Sequence, residues 1–167
     1  MQHAKALWLS VACCILLRLL LFGMFAPWRA EIEHASLLAA DAGQYHACVL
    51  NLRTTGVYSC ATEGPREPDN IWPPGFPFLA YGLFSLTGVK PWLMLLVNIG
   101  LEVLTLMAIW CICRALWSVT ISAIAVWLFA LNPIAITNAM GYRPDTLFQC
   151  VLALFVLVWL LYIAAPT

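Results

Sequence analysis

The 167-residue chain carries eight basic and eight acidic side chains, is 63% hydrophobic and has a mean hydropathy of +0.90. Zero net charge excludes a basic surface for nucleic acid, and a soluble core of this size has no use for so much apolar surface. Seven cysteines with no C-x-x-C and no paired metal spacing argue against a zinc site.

Ala6 to Pro27 is an apolar run of the length an α-helix needs to cross a bilayer, roughly 20 residues. It is too long for the h-region of a signal peptide and no A-x-A-like site follows it, so it reads as retained. His3 and Lys5 precede it and favour a cytoplasmic N-terminus. A polar stretch from Trp28 to Trp72 follows. It holds six of the eight acids, Glu31, Glu33, Asp41, Glu63, Glu67 and Asp69, together with Arg29, Arg53 and Arg66. Charge concentrated in one loop of an apolar chain points to chemistry or recognition there.

Within this region Ser36 to Leu52 reads as a helix, with Leu37, Leu38, Tyr45, Val49 and Leu52 on a broad apolar face. Pro74 to Leu86 is apolar but too short to span, so it reads as interfacial or re-entrant. The alternative is a distorted true span, which would invert every later helix and put Arg114 outside. Pro91 to Leu116, ending in Arg114, is the second span. Val119 to Met140 is the third, with Asn132-Pro133 in its outer half, and Thr146 to Ala165 is the fourth. The expected fold is therefore all-α, a polytopic membrane helix bundle with four transmembrane helices and two interfacial helices. Residues 1–167 form a single transmembrane unit on this reading, with residues 28–90 outside. The chain is expected to be a multi-pass integral protein of a bacterial inner membrane or its equivalent.

Arg18 and Glu102 are charges inside spans, each costing about 2.5–3.5 kcal/mol at mid-membrane if unpartnered. Arg18 lies nine residues before Pro27, and Glu102 eleven after Pro91, so in antiparallel spans their depths differ by about 3 Å. The two are expected to pair, directly or through Asn98. The alternative is that Arg18 reaches toward a lipid phosphate while Glu102 is protonated. Cys48 and Cys60 lie in the polar stretch. They either close a disulfide worth about 2–3 kcal/mol or remain free thiols.

The order of these features is similar to a known pattern. A first span containing Arg18 precedes LAADAGQYHACVLNLRTTGVYS; then come PREPDNIWPPGFPFLAYGLFSLTG, PWLMLLVNIGLEVL and ALNPIAITNAMGYRPDTLF. Over about residues 6–165 the chain resembles the N-terminal portion of a GT-C-fold membrane glycosyltransferase. It is most similar to the bacterial relatives of dolichyl-phosphate-mannose protein mannosyltransferases and of the aminoarabinose transferase of lipid A. Family members run to several hundred residues and roughly a dozen spans, and the acidic pair common in the mannosyltransferases is here Asp41 followed by Ala42.

The resemblance implies inverting sugar transfer from a polyprenyl-phosphate sugar on the outer side of the membrane. Asp41 would be the base that takes the acceptor's proton. Arg53, Arg66 and Arg143 would hold the phosphate, since guanidinium groups bind it bidentately. Tyr45, with Tyr58, His46 and Trp72, could line the sugar site or anchor at headgroup depth. Asp145 either caps the fourth span through the helix dipole or faces the same cavity as Asp41. The chain shows no metal motif, though a divalent cation at Asp41 and Asp145 is compatible with the family. Expected partners are membrane lipid, the lipid-phosphate-linked sugar donor, and further C-terminal spans or a partner subunit. The competing reading is a non-catalytic membrane subunit or an inactive truncated product. A channel or transporter is disfavoured because no span has a polar face and no inverted repeat is visible.

Overall fold

The computed structural model describes residues 2–26 and 41–164. Among these residues the structure is all-helical, with seven helices: α1 (Gln2–Phe25), α2 (Asp41–Thr55), α3 (Gly75–Thr87), α4 (Leu93–Leu116), α5 (Val119–Ala130), α6 (Pro133–Ala139) and α7 (Asp145–Ala164). Arg29, Glu31, Glu33 and the expected helix start at Ser36, Leu37 and Leu38 lie outside the described residues.

Three helices, α1, α4 and α7, are long and apolar enough to cross a membrane, and α5 with α6 makes a fourth candidate if the bent pair is one span. The expected third span, Val119 to Met140, is bent at Asn132-Pro133: α5 and α6 meet at 53°. The cause is local. Pro133 has no N–H to give the preceding turn, and it occupies the first turn of α6. Asn132 caps that new helix, its side-chain oxygen accepting from the N–H groups of Ile134 at 2.8 Å and Ala135 at 3.4 Å. Ser118 caps α5 in the same manner through the Ile121 N–H.

The chain divides into two compact units. One comprises Met1–Met24, Val97–Met140 and Asp145–Thr167. Its core is apolar and drawn from α1, α4 and α5: Val11, Cys14, Leu106, Val126 and Ala130, flanked by Ile15, Val103 and Phe129. Inside this same unit Arg18 Nε donates to Glu102 Oε2, and Arg18 Nη1 donates to the Ala130 carbonyl at 2.8 Å. The ion pair therefore joins α1 to α4 directly, and the second bond reaches the last residue of α5. In α7 only Thr146 and Cys150 are buried, while Phe155, Val158, Leu161 and Ile163 are exposed. A helix apolar on every side suits lipid or further helices, not water.

The other unit comprises Phe25–Leu96 and Gly141–Pro144. Here α2 packs on α3. Ala42, Tyr45, Cys48 and Val49 recur at helical spacing and form the buried stripe of α2. Phe76, Pro77, Ala80 and Phe84 do the same for α3. Gly88 ends α3 with a positive φ of 79°, a conformation that costs other residues strain, and its N–H returns to the Phe84 carbonyl at 3.0 Å.

Candidate functional site

Five of the expected substrate residues, Asp41, Tyr45, Arg53, Arg66 and Arg143, fall in the unit formed by Phe25–Leu96 and Gly141–Pro144. Arg143 is separated from the others in sequence by four helices, α3 to α6, so its membership is a property of the fold. Asp145 stands in the other unit, exposed in the first turn of α7, where the helix dipole favours a carboxylate.

Asp41 opens α2 and is exposed, also in a first turn. One turn on, Tyr45 is buried in edge-to-face contact with Trp72 at 4.9 Å and with Phe76 at 5.8 Å. Tyr45 is thus part of the packing that holds Asp41's helix in place. The cluster continues through Phe76 and Tyr142 at 5.0 Å, His46 and Tyr142 at 5.6 Å, and His46 and Phe84 at 6.2 Å. Edge-to-face pairs of this kind add about 0.5–1.5 kcal/mol each beyond area burial.

Tyr142 is fully buried, and burial pushes its phenol above the usual tyrosine range. Its hydroxyl has no hydrogen-bond partner among the described residues. Its ring fixes the turn Gly141–Pro144 in this unit and leaves the neighbouring Arg143 exposed. Sequence reasoning passed over Tyr142, because a single aromatic in a turn between two apolar helices carries no periodic signal.

The three arginines differ. Arg53 Nη1 donates to the Phe84 carbonyl near the end of α3, so this guanidinium serves as a C-cap across the two helices. Arg66 and Arg143 are exposed and make no such bond among the described residues. The segment that carries Arg66 is anchored to α2 at its start. Cys48 and Cys60 form a disulfide, and Asn51 Nδ2 donates to the carbonyls of Ser59 at 2.7 Å and Ala61 at 2.9 Å. Asp69 closes the segment: its N–H donates to the Tyr58 carbonyl at 2.8 Å.

Compared with protein families, with curated proteins and with solved structures, the chain returns no match. The functional reading therefore rests on the residues themselves. Among the described residues no group of three or more His, Cys, Asp and Glu side chains could hold a metal ion. What the described residues of the unit do present is an exposed carboxylate at a helix start, Asp41, and the exposed guanidinium groups of Arg66 and Arg143, besides that of Arg53 on the Phe84 carbonyl. That set can take a proton and neutralise a departing phosphate.

Proposed function

We propose that the chain is a glycosyltransferase unit of the GT-C type that uses a polyprenyl-phosphate sugar at a membrane. The observation that carries this reading is the membership of Asp41, Arg66 and Arg143 in one compact unit although they are far apart in sequence. In the reaction Asp41 takes the proton of the acceptor hydroxyl as that oxygen attacks the anomeric carbon. The bond to the phosphate breaks, the phosphate leaves with the electron pair, and Arg66 and Arg143 offset its charge. Attack opposite the leaving group inverts the anomeric centre. Arg53 supports the site by holding α3 to α2, and Tyr45 supports it by packing.

On this reading α1, α4, the α5–α6 pair and α7 are four spans, and α2 and α3 are interfacial. The N-terminus is cytoplasmic and the polar stretch lies outside, in a bacterial inner membrane or its equivalent. Further spans or a partner subunit complete the lipid groove.

The test is transfer of labelled sugar from a polyprenyl-phosphate donor in membranes that contain the chain in its native complex. Asp41→Asn should abolish transfer and leave membrane insertion unchanged, because the amide keeps the shape but accepts no proton. Near wild-type transfer in that variant would sink the assignment. Donor binding without transfer in the wild-type complex would favour a non-catalytic subunit.

A further inference from the structure

A second feature of the Phe25–Leu96 unit is independent of the sugar-transfer reading. A cleft of about 490 Å³ opens between the segment after α2 and the start of α3, and Tyr58, Asp69, Trp72 and Phe78 line it. Its aromatic walls are held in place. Tyr58 and Phe78 stack nearly parallel, 9° apart with ring centroids at 5.8 Å. The Tyr58 hydroxyl donates to the Trp72 carbonyl at 2.9 Å, and the Trp72 and Tyr45 rings meet edge-to-face. A preformed wall of this kind binds without an ordering cost.

Asp69 supplies the charge. Its Oδ1 accepts from the N–H groups of Ile71 at 2.7 Å and Trp72 at 3.3 Å, which fixes the carboxylate against the cleft. Among the described residues no Lys, Arg or His lines the cleft. None lines the adjoining polar cleft of about 320 Å³ either, which shares Asp69 and adds Glu67 and Gln44. Burial, and after it the Asp69 charge, hold the Tyr58 phenol above the usual tyrosine range.

Ring faces carry the negative side of the aromatic quadrupole, so rings and carboxylate attract the same ligand: a cation with apolar surface. A hard metal ion is excluded, since it needs six or more oxygen ligands that an aromatic wall does not provide. An anion in the cleft would face the Asp69 carboxylate. We infer that the cleft between Asp69, Trp72, Tyr58 and Phe78 is a binding site for an organic ammonium group, best fitted by a methylated, choline-type cation. The group is carried either by a free amine or by the headgroup of a zwitterionic lipid.

The test is a titration of the full chain, in a non-ionic detergent without sugar headgroups, with choline and with tetramethylammonium, followed by tryptophan fluorescence. Saturable binding of both is expected. Asp69→Asn keeps the Oδ1 acceptor for the turn but removes the charge, and should weaken binding about fivefold. Phe78→Leu keeps an apolar side chain at a half-exposed position but removes a ring face, and should weaken binding about threefold. If Asp69→Asn fails to fold by circular dichroism, Phe78→Leu decides. Choline binding unchanged in the folded variants, or equal binding of methyl glucoside, would overturn the site. Lower choline affinity in phosphatidylcholine bilayers than in bilayers of an uncharged galactolipid, neither of which carries a net surface charge, identifies the lipid headgroup as the occupant; equal affinity identifies a free amine.

Discussion

Arg18 of α1 and Glu102 of α4 form an ion pair in which both side chains are fully buried. Arg18 also donates to the Ala130 carbonyl, so one guanidinium ties together three helices of its unit. Removing one partner leaves the other charge buried and uncompensated, which costs far more than the pair itself contributes. Glu102→Gln should therefore lower the resistance of the membrane-embedded chain to denaturant by about 3 kcal/mol. The combination Arg18→Glu with Glu102→Arg should recover part of that loss, less the Ala130 contact. No recovery in the double variant would show that the pair is not the source of the stability.

The Cys48–Cys60 disulfide ties α2 to the segment that leads to Arg66, with a sequence separation of 12. Closing a loop of that length removes unfolded-state entropy worth about 3 kcal/mol. Reduction, or Cys60→Ser with Cys48→Ser, should make residues 56–73 the first target of limited proteolysis. A digestion pattern identical to that of the oxidised chain would show that Asn51 and the Tyr58–Asp69 contact suffice alone.

Arg53 should behave as a helix cap. Arg53→Met removes the donor to the Phe84 carbonyl and should cost about 1 kcal/mol, visible as faster hydrogen exchange at the end of α3. In the transfer assay its effect should be smaller than that of Arg66→Met or Arg143→Met. An Arg53 variant with normal exchange and lost donor binding would return this residue to the phosphate.

The Tyr58 phenol is raised in the folded chain by burial, then by Asp69, then by Tyr45. The unfolded chain therefore releases this proton first on the alkaline side. Stability is fully present below the ordinary tyrosine value near ~10 and is lost as the pH rises from there through the folded-state value. Tyr58→Phe should flatten this alkaline decline at the expense of the bond to the Trp72 carbonyl. Asp69→Asn should move the phenolate absorbance transition of Tyr58 to lower pH. A transition that does not move would show that Asp69 sets no potential at this wall.

Topology is open to a direct measurement. Thr62 and Ser118 are both exposed, one after α2 and one between α4 and α5. Under the proposed orientation Thr62→Cys should react with an impermeant thiol reagent added outside and Ser118→Cys should not. Reaction at both positions would mean that α3 crosses the membrane.

The helical ground plan is legible in the sequence because apolar length and proline position are local properties. The runs Ala6–Pro27, Pro91–Leu116 and Thr146–Ala165 coincide with α1, α4 and α7 to within a few residues, and Pro74–Leu86 coincides with α3 to within one. Residue counting along two helices expected to be antiparallel spans also places Arg18 and Glu102 at one depth, because helical rise is constant. The bend at Asn132-Pro133 was visible only as a dipeptide; whether it breaks the span depends on whether the flanking turns find other partners for their backbone groups. The state of Cys48 and Cys60 stayed open in the sequence, since a disulfide needs two backbone segments to come together. Tertiary structure alone decided the rest. It set Arg53 on the Phe84 carbonyl, buried Tyr45 and Tyr142 in one aromatic cluster, and brought the Gly141–Pro144 turn with Arg143 into the unit of Asp41. Such choices depend on side chains distant in sequence, and no local pattern encodes which of several exposed arginines finds a carbonyl to cap.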